Sequence, residues 1–333
     1  MKEFLISKND AGQRLDRFVT KVVPALPSSL VHKYIRLKRI KVNNKGSKQD
    51  RKLFEGDVVQ MYISDKFLET SFIKSKKINP DTIAFDLDRD LFIDIIYEDE
   101  NILIINKPSG ILCYDTRGLI KNTLINNIQA YITHKDEWQP QNELTFSPAL
   151  CNRIDRNTSG IVIAAKNAET LRIINDKIKN KEIDKYYLTI VHGIPNQKDG
   201  QLTGYISKDG KRNLVKVTEN EIPDSKLAET EYRVLATKDD GSKPTISLLE
   251  CKLITGRTHQ IRAQLANIGH PILGDIKYGN KQINEPFNET HQVLCSYKII
   301  FSFKTDVGAL NYLNGMSFEV KDIPFVDKYF QKK

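Results

Sequence analysis

The chain reads as an α+β protein of two unequal units, a small basic one at the N-terminus and a larger one on a mainly antiparallel mixed sheet with flanking helices. Three observations predict this. From residue 93 onward, short runs rich in β-branched and aromatic residues recur as candidate strands, at Ile93–Tyr97, Ile102–Asn106, Ile161–Ala165, Tyr186–Val191, Thr230–Leu235 and Thr245–Leu253. Helical periodicity occupies three stretches between them, Thr123–Thr133, Ala168–Lys179 and Thr258–Ile268. Residues 1–63 hold fourteen Lys/Arg against six Asp/Glu, so that segment supplies +8 of the chain's net +9.

The basic unit comes first. Leu15, Phe18, Val19 and Val22 mark one helical face, with Arg14, Arg17 and Lys21 on another. A second helix is expected from the Ser28/Ser29 caps after Pro27, with Val31, Tyr34 and Ile35 inward and Lys33, Arg36 and Arg39 outward. A strand at Ile40–Val42, a turn at Asn43–Gly46 and a strand at Val58–Ile63 complete it. Such a face could be merely solvated, but concentration of nearly all the excess charge in one small unit favours contact with a phosphate backbone. Residues 64–92 then read as a linker or insertion, with the basic Lys74–Lys77, a breaker at Asn79-Pro80 and the acidic run Asp86–Asp90. The alternating aspartates do not make a calcium loop, because Leu91 and Tyr97 stand where an EF-hand needs glycine and glutamate.

Composition excludes several classes. Hydrophobic residues make up 40% and charged residues 28%, as in ordinary globular chains. No apolar run approaches the ~18 to 20 residues of a membrane span, and MKEFLISKND has no signal-peptide block, so a cytoplasmic protein without membrane contact is expected. Cys113, Cys151, Cys251 and Cys295 lie far apart, which points to reduced thiols and away from a disulfide framework or structural zinc. No GxGxxG or GxxxxGK follows a candidate strand, so a nucleotide cofactor is not expected.

Two clusters carry chemistry. The first, CNRIDRNTSGIVIAAK at 151–166, places Asp155 between Arg153 and Arg156 at the mouth of an apolar strand. The second, LITGRTHQIRAQLANIGHP at 253–271, gives a helix capped by Thr258, with Ile261, Leu265 and Ile268 inward, Gly269 at its end, and His259 and Arg262 on one face. A buried Asp–Arg pair adds little net stability but holds a carboxylate ionised and aimed. On spacing alone Tyr187 is a core residue, Lys107-Pro108 a structural turn, and Thr158-Ser159-Gly160 a loop-shaping segment.

The run Ala11–Phe18, with Val31–Val42, the Asn43 turn and Gly56-Asp57-Val58, resembles the S4 RNA-binding domain. Asn152–Gly160, Lys185–Leu188 and Thr255–Arg262 resemble the three signature motifs of RluA-type pseudouridine synthases, and Tyr97–Glu100, Asn106–Gly110, Gly269–Asp275 and Tyr278-Gly279 extend the likeness over nearly the whole chain. The arrangement is most similar to S4-bearing members acting on large-subunit ribosomal RNA. It departs at Asn152, where the family usually has a histidine, so no imidazolium can act there.

The resemblance implies an S4-like RNA-binding domain at 1–63, a linker at 64–92 and a pseudouridine synthase domain at 93–333. It implies a monomer that isomerises uridine in structured RNA without cofactor or metal. Asp155 would be the essential carboxylate, as nucleophile or as base, with Arg262 its charge partner and Tyr187 stacked on the uracil. Arg153, Arg156, Thr158, Arg257 and His259 would contact the target nucleotide, and Arg14, Arg17, Lys33, Arg36 and Arg39 the phosphates. Transfer RNA remains an alternative substrate. A non-catalytic ribosome-assembly factor and a base glycosylase are rival functions; the first is disfavoured by the joint presence of Asp155, Tyr187 and Arg262, the second by the lack of a second motif-borne carboxylate.

Overall fold

The computed structural model describes residues 1–68, 93–115, 122–209, 214–239 and 241–330. The basic and acidic runs at Lys74–Lys77 and Asp86–Asp90 lie outside the described residues.

The N-terminal unit packs two helices, α1 (Leu15–Val22) and α2 (Ser28–Arg36), on a four-stranded antiparallel sheet. Its strands are β1 (Lys2–Leu5), β2 (Ile40–Val42), β3 (Lys45–Gly46) and β4 (Val58–Met61), in the order β1-β4-β2-β3. The expected helical face is real: Leu15, Phe18, Val19, Val31 and Ile35 are buried with Phe4, Ile40 and Val59. Arg17, Lys33, Arg36 and Arg39 point outward. Asn43 and Asn44 both have left-handed backbone, φ 52° and 63°, and close a two-residue hairpin whose twist matches that of the strands. Two expectations need correction, and one strand is new. Ser28 and Ser29 do not cap α2; Pro27 holds the cap position and offers no side-chain acceptor. The short strand β1 was not foreseen. Phe67 and Leu68 pack into this core, so the unit continues past residue 63.

Among the described residues, the larger unit carries an eleven-stranded sheet. In chain order its strands are β5 (Ile95–Glu98), β6 (Ile102–Lys107), β7 (Ala149–Leu150), β8 (Ser159–Ala165), β9 (Ile183–His192), β10 (Asp199–Asp209), β11 (Leu214–Thr218), β12 (Lys226–Lys238), β13 (Ile246–Leu253), β14 (Leu294–Phe301) and β15 (Ser317–Glu319). The main path is β11-β10-β12-β13-β9-β14-β8-β6-β5, with β15 beside β14 and β7 beside β8. Every pairing is antiparallel except β14 with β8. At β6 and β8 the sheet is buried on both faces, which explains the unbroken apolar runs of these two strands. Leu103, Ile105, Val162 and Ala164 face one core, and Ile102, Ile104, Ile161 and Ile163 the other.

The helices α3 (Leu124–His134) and α4 (Ala168–Lys179) are capped by Thr123 and Asn167, whose side chains accept from the backbone N–H three residues on. The helix α5 (Gln260–Asn267) starts later than expected, because His259 occupies the cap position in left-handed backbone (φ 52°) and Thr258 caps nothing. It ends as read: Gly269 (φ 87°) donates to the Ala266 carbonyl and His270 to that of Leu265, a Schellman pair. Ile261 and Leu265 are buried, but Ile268 is 40% exposed.

The two units meet through the segment 7–13. Asn9 bonds Glu143 and the Ala168 N–H, Gln13 bonds Thr145, Thr145 bonds Asp10, and Arg172 reaches the Ala11 carbonyl.

One glycine governs the approach of β8 to β14. Gly160 has φ 108°, and a Cβ there would lie 2.1 Å from the Ser296 carbonyl oxygen. Gly160→Ala is expected to cost about 3 kcal/mol or more, from overpacking added to backbone strain. Urea unfolding measures this, and an unchanged midpoint would show that β14 can retreat.

Candidate active site

The loop between β7 and β8 holds Asp155, and its backbone is fastened at each carbonyl from Ile154 to Asn157. The Cys113 thiol lies 3.5 Å from the Ile154 carbonyl, and the Asp155 carbonyl accepts from the Thr158 N–H. The Arg156 carbonyl accepts from Lys107 Nζ (3.0 Å) and the Gly110 N–H (2.9 Å), and the Asn157 carbonyl from the Ser109 hydroxyl. Asn152 bridges to the neighbouring strand, donating to the Ile161 carbonyl and accepting from the Ile163 N–H at 2.7 Å. An amide suits that task because it presents donor and acceptor side by side. At Asn152 the residue therefore serves backbone geometry and needs no titration.

Lys107 is fully buried, and its ammonium also donates to the carbonyls of Pro108 and Ile111. Three carbonyls thus meet its three N–H donors. Burial pulls its pKa down to about 8, opposed by Cys113 and Asp155. The turn foreseen there is present, and a buried cation holds it.

The helix α5 supplies the facing wall. Arg262 Nη1 donates to Asp155 Oδ2 at 2.8 Å, while Nε and Nη2 form a fork on Asp275 at 2.7 and 3.0 Å. Burial works against the guanidinium charge, but Asp275 and Asp155 outweigh it and raise the pKa of Arg262. Burial likewise opposes the Asp275 charge, and Arg262 with the backbone N–H groups of Lys277 and Tyr278 holds that carboxyl below its usual range. His259 Nε2 stands 3.8 Å from Asp155 Oδ2. Its Nδ1 is 2.9 Å from the Tyr278 hydroxyl, which also accepts from the Val215 N–H. The His259 ring and the Arg262 guanidinium both pack on Tyr278, at 5.7 Å between ring centres and 5.3 Å from Cζ to the ring centre. The helix stands where it does because Gln260 and Gln264, both buried, bond across to β12 and its neighbours at Glu229, Thr230 and Ala228.

Tyr187 comes from β9, paired to Cys251 on β13 and Ser296 on β14, and is 5% exposed. Burial pushes its phenol up to about 12, so it is neutral at physiological pH. Arg153, Asp155, Thr158, Tyr187, Arg257, His259 and Arg262 line one cleft. Arg156 is not among its walls: its Nε donates to the Gly110 carbonyl, so that side chain ties the loop down. Arg257 borders the cleft but donates to the Leu227 carbonyl. In the N-terminal unit, Arg14 is half-exposed and paired with Asp16 at 2.7 Å. Sequence reasoning gave no role to Asp275 or Tyr278, although both lay in stretches that carried the resemblance. Among the described residues, no group of three or more His, Cys, Asp or Glu is placed to hold a metal ion, and no helix is long and apolar enough to cross a membrane.

The Lys107 contacts generate a test. Lys107→Met leaves three carbonyls without their donor and is expected to destabilise the protein by about 3 kcal/mol. In the wild type the folded pKa lies below the unfolded value of about 10.4, so the unfolded chain binds the proton more tightly. The Lys107 contribution to stability is therefore smallest below about pH 8 and rises from there towards about 10.4. The difference in urea midpoint between wild type and Lys107→Met should widen over that window; a constant difference would contradict a buried ammonium.

Residues 101–267 match the RNA pseudouridylate synthase family. The chain is 33% identical to an RNA pseudouridine synthase of Mycoplasma genitalium, over 99% of this chain and 98% of that protein. It is 32% identical to ribosomal large subunit pseudouridine synthase C of Vibrio vulnificus, over 84% and 80% of the two chains. The fold is shared with human RNA pseudouridylate synthase domain containing 1, with a TM-score of 0.55 at 20% identity over 71% of this chain and 85% of that one. The motifs, the sheet and these likenesses agree: the chain belongs to the RNA pseudouridine synthase family, whose members are isomerases acting on uridine in RNA.

Proposed function

We propose that this synthase isomerises uridine in large-subunit ribosomal RNA, with Asp155 as its essential carboxylate and the N-terminal unit as an S4-like RNA anchor. The observation that carries the site assignment is the meeting of Asp155, Tyr187 and Arg262, from three distant stretches, in one cleft. The synthase C names of several relatives support the ribosomal substrate. Transfer RNA is the second reading, separated from the first by which RNA loses its pseudouridine when the gene is deleted.

The reaction breaks the N1–C1′ bond, turns the uracil and rejoins it through C5. Asp155 acts either as a nucleophile on the sugar or base or as the base at C2′; both roles need an ionised carboxylate at one fixed place. Arg262 supplies that condition. Tyr187, held as a neutral phenol, offers a flat face on which the uracil stacks. The target must leave its helix before any of this. Arg153, exposed at the cleft and two residues from Asp155, is suited to hold the vacated geometry open. Arg257, Thr158 and His259 complete the nucleotide's surroundings. The outward Arg17, Lys33, Arg36 and Arg39, with Arg14 beside them, give the N-terminal unit its phosphate-binding face.

Asp155→Asn should fold and bind RNA with unchanged affinity yet form no pseudouridine, because shape is kept and charge is lost. Appreciable turnover by that variant would remove Asp155 from its role. During wild-type turnover the RNA mass stays constant and no free uracil appears; stoichiometric uracil release would instead indicate a glycosylase.

Lys33→Gln, Arg36→Gln and Arg39→Gln combined in the full chain should flatten the dependence of log K on log salt by roughly 2 units, since each phosphate contact releases counterions worth about 0.7 to 0.9. An unchanged slope would place the RNA elsewhere.

A further inference from the structure

His259 lines the cleft, and capping of α5 does not explain how its side chain is held. Its backbone is left-handed (φ 52°), a conformation uncommon outside glycine. The side chain offers no capping bond to the helix. Instead its two ring nitrogens face two different partners: Nδ1 lies 2.9 Å from the Tyr278 hydroxyl, and Nε2 lies 3.8 Å from Asp155 Oδ2. The Tyr278 oxygen already accepts the Val215 N–H at 2.8 Å, which leaves its own proton free to donate to Nδ1. With Nδ1 accepting, the proton of a neutral imidazole sits on Nε2 and faces the carboxylate. The opposite tautomer would set a nitrogen lone pair against an anion.

We propose that His259 is a positioning residue for Asp155: Tyr278 locks its imidazole as the Nε2–H tautomer, and that N–H is the second donor, after Arg262, that fixes the carboxylate. The separation of 3.8 Å is just beyond a formed hydrogen bond, and such contacts tighten when substrate fills a site. Burial lowers the pKa of His259, with Arg262 and Lys277 adding to that effect and Asp155 and Asp275 opposing it, which keeps the ring neutral. The two donors divide the work. Arg262 brings charge, whereas His259 brings direction without a second positive charge that would bind the carboxylate too tightly to react.

This inference rests on Asp155 being the essential carboxylate, and the test keeps the two apart. In the full-length protein labelled with 15N-histidine, one of the six histidines should lose its signal in His259→Asn, and in the wild type that signal should report Nδ1 bare and Nε2 protonated. Single-turnover rates then separate positioning from architecture. Gln can place an N–H near the Nε2 position, while Asn can satisfy only Tyr278. The expected order is His259→Gln within about tenfold of wild type and His259→Asn about tenfold slower again, with RNA affinity alike in both. Tyr278→Phe should mix the tautomers and slow the single-turnover rate while leaving RNA affinity unchanged, which provides a readout if His259→Gln folds poorly. The proposal is overturned by the Nδ1–H tautomer in the wild type, or by His259→Asn matching or exceeding His259→Gln. If Asp155→Asn stays active, the underlying assignment fails instead.

Discussion

Arg262 lies between two carboxylates, and the arrangement of the cleft follows from how its charge is divided. Its fork is committed to Asp275, whose side chain is fully buried, and its third nitrogen, Nη1, reaches Asp155, whose side chain is 26% exposed. One guanidinium and two carboxylates leave one net negative charge. Asp275 is desolvated and doubly bonded to the cation, so the surplus negative charge resides at the exposed end, on Asp155. The site thus holds an anion in place without cancelling it. A lysine in place of Arg262 could not do this, since an ammonium lacks the planar fork that fixes one carboxylate while aiming at another. Buried ion pairs of this sort contribute little net stability, so their value here is orientation.

A second device fixes the backbone that carries Asp155. Between Ile154 and Asn157 each carbonyl meets a donor, from Cys113, Thr158, Lys107 with Gly110, and Ser109. The loop has no strand partner of its own, and this set of contacts replaces one. The sheet then brings the parts together. Because Gly160 lets β8 lie against the Ser296 carbonyl of β14, and β14 in turn pairs with β9, the Asp155 loop and Tyr187 open onto one cleft. A sequence separation of thirty-two residues is bridged by a single intervening strand. Loop and phenol are therefore as rigid as the sheet that spaces them.

Much of this was legible beforehand because it is written in local patterns. The periodicity of Leu15, Phe18 and Val19 gave α1, helical periodicity marked α3 and α4, and Gly269 ended α5. The sequence did not reveal β10, because DGQLTGYISKD is largely exposed and interrupted by Gly200 and Gly204. Gly200 is there for packing: a Cβ would meet the Tyr232 ring at 2.4 Å, a fact of the neighbouring strand. The strand β14 was missed although it borders both Tyr187 and the Asp155 loop, since its pairing is entirely long-range. Thr258 looked like the cap of α5, but Gln260 takes over the loop, accepting from the Arg257 N–H and donating to Glu229. Asp275 is thirteen residues from Arg262, too far for helical spacing to signal a pair. Local rules find elements; the partners of buried polar groups depend on packing.

The contact between the two units bears on how binding is converted into chemistry. It runs through side chains and backbone groups of the segment 7–13, and its named bonds are polar. Polar, modest interfaces between units resist sliding but contribute less cohesion than a shared apolar core. Here they set where the basic face stands relative to the cleft. Under the function proposed above, phosphate contacts on that face would carry no information about which uridine reacts. Their effect would be on the cost of extraction: an RNA held at two places would give up little further freedom when one base is turned out, so backbone affinity could be drawn on for unstacking. The charge asymmetry of the chain then has a physical meaning. In the cleft Arg153 is exposed and Arg257 is engaged by the Leu227 carbonyl, so Arg262 is the cation bonded to Asp155; under the function proposed above, charge on the separate unit would add RNA affinity without adding a competitor for that carboxylate.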